Sequence, residues 1–498
     1  MVKSNNTIQA LWVGLGSLSS FALGIVSAAI LSRYFDKAEY GTYKQILYVY
    51  HTLLVVFSAG LPSVFGYFLP RYSLAQGKDI VLKITKVLFL FGIVFSLTLF
   101  FSAPLIASVL KNPELETGLK YFSPIPMLLL PTLGIEGIFS TYKKTMFIAI
   151  YNVITRLLML AFIVTPVILF RGSYISAIYG WIIVSVISLI IAIYFRTIPF
   201  KGVVTEKSNL NLKTVFNYSL PLVAASVAGV AIKAADQFYI SRFFGAEVFA
   251  EFSNGFMEIP FVGMITGAAS VVLLPYFSKL SFQNSGFNDL VKTWRSVLNK
   301  SASMIYPMVI FFMFYSGEIV TFLYSEKYDN SKIYFQIAMF LNYFNIIIFA
   351  PILFAMGKTK FYSRLHIFIA LAAWALGYVV TIASDSPVAI AVLSVLLSIT
   401  KIIIAFVFIS KMIQVRLTKL IPQEIIYYVV HSLLIMMVIK YGVMRFVNFD
   451  NLLVNIGLSA VTFVVLLLLT SKPLKLDYLI GLKPLLDQFA KKGSVLEK

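Results

Sequence analysis

Apolar residues run through this chain in long blocks, each closed by a short polar turn. Fourteen such blocks can be read, at 8–32, 41–69, 84–110, 118–141, 146–170, 173–195, 214–243, 250–277, 301–323, 333–356, 361–383, 387–410, 423–444 and 450–470. Each is about 20 residues or longer, the length at which a helix rising about 1.5 Å per residue crosses a hydrocarbon layer about 30 Å thick. Most lack the polar stripe that a soluble helix of that length presents to water. The pattern predicts an all-α, polytopic membrane protein with about 14 transmembrane helices.

Composition narrows the function classes. Hydrophobic residues make up 59% of the chain and charged residues 12%, about half the charged share of a globular protein. No stretch between the blocks is long enough for a soluble catalytic domain, so an enzyme is not expected. A single Lys3 precedes the first block and no small-residue cleavage site follows it, so the first helix is expected to be retained. The chain has no cysteine, which excludes disulfides, thiolate metal sites and cysteine catalysis. His51, His366 and His431 fall on separate helices without ligand spacing; neither a metal nor a cofactor is expected.

The net charge of +20 would suit a nucleic-acid partner, but its distribution argues for a membrane. With the N-terminus inside, 27 Lys and Arg fall on the inner turns and tail and 10 on the outer turns. The opposite orientation would violate the positive-inside rule. Both termini are therefore expected in the cytoplasm. Residues 472–498 read as a short cytoplasmic amphipathic tail, with Leu474, Tyr478, Leu482, Leu485, Leu486 and Phe489 among lysines.

The chain also repeats itself. Ser32–Arg33–Tyr34–Phe35 returns as Ser241–Arg242–Phe243–Phe244, and Pro70 with Ser73 as Pro275 with Ser278. Leu110 with Tyr121–Phe122 returns as Leu323 with Tyr334–Phe335, and Lys144–Thr145 as Lys358–Thr359. Four matches in order, at offsets of 205 to 214, separate copies by six helices and so predict a parallel repeat. The expected organisation is an N-terminal six-helix lobe at 1–196, a cytoplasmic linker at 197–213, a second six-helix lobe at 214–411 and two further helices at 412–471. Paired lobes facing a midplane site are what alternating access requires.

Several short patterns carry a resemblance. Leu31–Ser–Arg–Tyr–Phe35 followed by Glu39–Tyr–Gly41–x–Tyr43, then Gly317–Glu318, Tyr324–Ser–Glu–Lys–Tyr328 and Gly357–Lys–Thr–Lys360, resemble bacterial polysaccharide and O-antigen flippases. These belong to the multidrug/oligosaccharidyl-lipid/polysaccharide exporter superfamily, which the chain resembles over its whole length. The resemblance implies translocation of an undecaprenyl-pyrophosphate-linked sugar unit between leaflets. It also implies lipid-linked oligosaccharide and membrane lipids as partners, with a polysaccharide polymerase and a chain-length regulator downstream.

Charges inside the spans are the candidate working residues, since lipid will not receive them without a cavity or partner. Lys233 and Asp236, one turn apart in the seventh span, share a polar stripe with Ser219, Ser226, Gly229 and Gln237. Arg156 and Lys401 lie near the centres of spans five and twelve, with no carboxylate within a turn. Lys44 is expected to snorkel. Arg33 and Arg242, equivalent in the repeat, would ring the outer mouth. Glu258, placed two turns into span eight beside Pro260, and Asp236 are candidates for a coupling proton or ion. Glu318 reads as solvated. Tyr43, Tyr48 and Tyr50 would stack on sugar rings if they face the lumen. Competing readings are a membrane-embedded polymerase or ligase, a drug/cation antiporter and a peptidoglycan-precursor flippase. The outer turns are too short for the first. The embedded charges, four basic and four acidic, do not favour a cation, and the absence of charge between Trp12 and Leu31 weakens the third.

Overall fold

The computed structural model describes residues 6–282, 287–447, 449, 451–474 and 476–480. Within them every predicted block is mainly helical, some with a break inside, and no strand occurs among the described residues. The spans are α1 (Asn6–Tyr34), α2 (Lys37–Phe57, continued by Leu61–Phe68), α3 (Leu74–Leu110), α4 (Glu114–Thr141), α5 (Met146–Phe170) and α6 (Tyr174–Thr197). They continue as α7 (Leu212–Gly255), α8 (Pro260–Phe282), α9 (Phe287–Phe314) and α10 (Ser331–Asn345 with Ala350–Ala355). The last four are α11 (Thr359–Ser384), α12 (Pro387–Met412), α13 (Glu424–Phe446) and α14 (Leu452–Ser471). Twelve helices among the described residues are long and apolar enough to cross a membrane unaided, and the bent α2 makes a thirteenth. The difference from fourteen is α10, whose two pieces are each too short.

Helix ends and breaks follow from local chemistry. Asp36, Ser73, Ser173 and Asn451 sit at N-termini and accept hydrogen bonds from first-turn amides, satisfying donors that have no helical partner. The α2 break falls at Gly60, where φ of 65° suits glycine, with Pro62 opening the next piece; the two pieces meet at 44°. Within α4, Pro124, Pro126 and Pro131 remove backbone donors and the helix falls into short pieces. The expected eighth span is also divided. Its first part runs on from α7 across a turn at Gly245, and residues 256–259 are not helical.

Contacts group the chain into two compact units, residues 1–253 with 373–390, and residues 254–372 with 391–498. In the first, α2, α3, α4 and α6 enclose an aromatic core. Tyr50 stacks on Phe95 and meets Phe122 edge-on, Phe57 stacks on Phe95, and the Trp181 indole donates to the Tyr43 hydroxyl at 2.8 Å. By contrast α1 touches mainly α5, and few of its residues are fully buried.

The second unit is built on α9, which packs against α10 and α13. Lys440 of α13 pairs with Glu318 above the Tyr315 ring, whose hydroxyl donates to Ser459 of α14. Glu318 is thus half-buried in an ion pair, not simply solvated. His431 of α13 is buried, with one ring nitrogen 2.7 Å from the Tyr478 hydroxyl and the other 2.9 Å from Thr470. That contact holds residues 476–480 of the expected tail against α13; Leu482, Leu485, Leu486 and Phe489 lie outside the described residues.

Candidate functional site: a cationic recess on α2, α5 and α7

The first unit has two ends. One carries the α1–α2 turn at 35–36 (the hairpin end); the other carries the linker between α6 and α7 (the linker end). Between them α2 presents Lys44, Tyr48 and His51 at spacings of four and three, along one helix face. His51 lies within electrostatic reach of both Lys44 and Arg156 of α5. His51 and Arg156 are exposed, although helices surround them. Three basic side chains therefore converge on one recess within the membrane-spanning part of the unit.

The wall beside this recess is α7. The Tyr48 hydroxyl donates to the Ala234 carbonyl at 3.1 Å and lies near Asp236. Lys233 is exposed while Asp236 is buried, so the two charged members of the expected polar stripe have different surroundings. Gln237 donates its side-chain amide to the Lys233 carbonyl at 3.1 Å and its backbone amide to Asp236 at 2.6 Å. It fixes the local backbone.

The other sequence candidates separate. Arg33 is exposed at the end of α1. Arg242 donates to the Val109 carbonyl at the end of α3 and lies over Phe243, tying α7 to α3 at the hairpin end. Lys401 of α12 belongs to the second unit, within electrostatic reach of His366 of α11, which is itself hydrogen-bonded to the Tyr362 carbonyl at 2.9 Å. Glu258 is exposed in the non-helical stretch before α8, not two turns into a helix; Pro260 starts α8 instead of interrupting it. Tyr43 and Tyr50 are buried in the aromatic core and cannot stack on a sugar in the recess.

Sequence reading missed Lys44 and His51 as site residues. Their seven-residue spacing placed them on one face of α2, but only the packing of α5 against that helix brings Arg156 to them. The recess gathers three basic side chains and a tyrosine hydroxyl, with one carboxylate, Asp236, beside Tyr48 and no acidic metal cluster among the described residues; the basic excess suits an anionic group with polar surroundings.

At the hairpin end a latch joins the same helices. Gln45 of α2 is fully buried; it donates to Ser241 of α7 at 2.8 Å and accepts from Asn112 at 2.6 Å. Lys37 pairs with Glu251 at 2.6 Å. Gly41 lies so close to Ala246 that a Cβ there would come within 1.9 Å of the Ala246 carbonyl oxygen, which is why no side chain stands at that position.

Helix number, broken spans and bundle geometry together define the class by fold, a polytopic all-helical membrane protein. The fold matches a lipid II flippase, MurJ, in an inward closed conformation, with a TM-score of 0.71 over 93% of this chain and 99% of that one, at 14% identity. It matches an inward-facing multidrug resistance transporter of the MATE family with a TM-score of 0.59 over 79% and 94%, at 12% identity. A transporter of the same superfamily from Pyrococcus furiosus gives 0.55 over 81% and 94%, at 13% identity. No curated protein sequence matches the chain. The family model for polysaccharide biosynthesis proteins matches residues 30–333, more than half the chain. The chain belongs to the polysaccharide biosynthesis protein family.

Proposed function

We propose that the protein is a flippase. It moves undecaprenyl-pyrophosphate-linked oligosaccharide units from the cytoplasmic to the outer leaflet, by alternating access, for surface polysaccharide synthesis. The observation that carries this reading is the convergence of Lys44, His51 and Arg156 on one recess. A pyrophosphate needs cations that are held apart from competing carboxylates, and a sugar needs hydroxyl and amide partners. Tyr48, Gln237 and Asn152, one turn before Arg156, supply the second kind of group. The lipid tail stays in the bilayer, which is why only the head requires a polar path. Lys233 stands on the adjacent helix as a further cation, with Asp236 or Glu258 available for a coupling proton or ion. Family membership supports the pathway, and the likeness to a lipid II flippase supports the mode of transport.

In this reading the linker end faces the cytoplasm and both termini lie there. The latch at Gln45, Ser241, Lys37 and Glu251 shuts the hairpin end while the head group binds. Export of surface polysaccharide by cells carrying Lys44→Gln together with Arg156→Gln tests it. A charge-assisted contact to phosphate contributes about 1.5–3 kcal/mol, so export should fall at least about tenfold while the protein inserts at normal levels. Normal export from the double variant would remove the recess from the mechanism.

A further inference from the structure

A second cation in the first unit lies outside the recess. Arg196, in the last turn of α6, is only 6% exposed, the least favourable setting for a guanidinium without an anion. Its Nη1 donates to Thr85 Oγ1 of α3 at 2.8 Å. Its Nε and Nη2 have no hydrogen-bond partner among the described residues.

The identity of those two nitrogens matters. Nε–H and Nη2–H form one edge of the planar guanidinium, the fork that meets two oxygens of a carboxylate or phosphate at once. The third nitrogen, held by Thr85, sets the direction of that fork. Around it stand Tyr151 of α5, within electrostatic reach, and Thr132 in the broken part of α4, which meets the Tyr151 hydroxyl. Lys144 stands at the same end of the unit, its ammonium 3.5 Å from the Ile198 carbonyl just beyond α6.

The site differs from the recess. Arg156 follows Tyr151 by five positions on α5, about 140° around the helix axis at 100° per residue, so the two side chains leave α5 in different directions. Arg196 and Arg156 therefore address different parts of the unit.

We propose that Arg196 anchors a phosphate-binding site at the linker end, separate from the transport recess. The phosphate would be held bidentately by the free guanidinium edge, with the Tyr151 and Thr132 hydroxyls beside it. Two sources share this chemistry, the phosphodiester of an anionic lipid in the adjoining leaflet and free phosphate from the aqueous side. A bound phosphate would tie α3, α4, α5 and α6 together where proline and glycine have fragmented α4.

Thermal unfolding of the purified full-length chain in neutral detergent tests this without reference to transport. The ligands are phosphatidylglycerol, inorganic phosphate, and, as controls, phosphatidylcholine and chloride at matched ionic strength. The midpoint should rise by about 2–4 °C at saturation in wild type and should not rise in Arg196→Gln. A rise with phosphatidylglycerol alone assigns the site to a lipid headgroup; a rise with inorganic phosphate as well assigns it to the free anion. Should Arg196→Gln fail to fold, Arg196→Lys keeps the charge but lacks the fork, and most of the rise should be lost. The proposal is overturned if wild type responds to neither phosphate source, or if Arg196→Gln or Arg196→Lys responds as wild type does.

Discussion

Lys233 and Lys44 show how residue and context divide the work. Both are lysines within a span, and sequence alone ranked Lys233 first because Asp236 stands one turn away. The packing gives Lys44 the stronger setting, since His51 and Arg156 share its surroundings. Neighbours along one helix were legible from spacing; neighbours on another helix were not, which is why Lys44 read as a snorkelling residue and His51 as an isolated one. Lys233 remains testable separately. Lys233→Ala should lower polysaccharide export about tenfold or more, and Lys233→Arg should keep part of it because charge matters more there than shape. Surface polysaccharide, measured against membrane protein level, reads the outcome. Unchanged export in Lys233→Ala would leave Lys233 as a packing residue on α7.

Among the elements, α2 carries most of the proposed mechanism. Its first half bears the latch and the recess, and Gly60 turns its second half by 44°. Beyond that turn Tyr67 stacks on Tyr218 at 3.9 Å with Arg71 over the Tyr67 ring, so α2 meets α7 near both ends. The linker is bound too. Asp79 accepts from the Ser208 amide and hydroxyl at 2.8 and 2.6 Å, and Lys83 pairs with Asp79 at 2.8 Å. Alternating access requires the hairpin-end contacts of α2 and α7 to part. Gln45→Cys with Ser241→Cys, in a chain otherwise free of cysteine, should therefore cross-link and stop export, with recovery on adding a reductant. Continued export from fully cross-linked protein would show that the latch never opens. Prolines and glycines marked the break positions in the sequence. The non-helical stretch at 256–259 was less legible, because an apolar run reads the same whether its backbone is helical or not.

For the whole molecule, the spans were legible because a bilayer leaves a crossing backbone few alternatives to the helix. Orientation rests on charge alone and has its own test. Cysteine at Thr205, exposed on the linker, should resist an impermeant thiol reagent in intact cells and react once they are opened. Cysteine at Ser384, exposed at the end of α11, should react in intact cells. The reverse pattern would invert the protein in the membrane. The central claim, that the recess carries a pyrophosphate-linked sugar across the bilayer, is tested most directly in proteoliposomes of the purified chain. Undecaprenyl-pyrophosphate oligosaccharide, and the same glycan on an uncharged polyprenyl carrier, are placed in both leaflets and followed by accessibility to an external lectin. The account predicts translocation of the pyrophosphate form, its loss in Lys44→Gln/Arg156→Gln, and little movement of the uncharged form. Equal movement of both forms, or of neither, would contradict it.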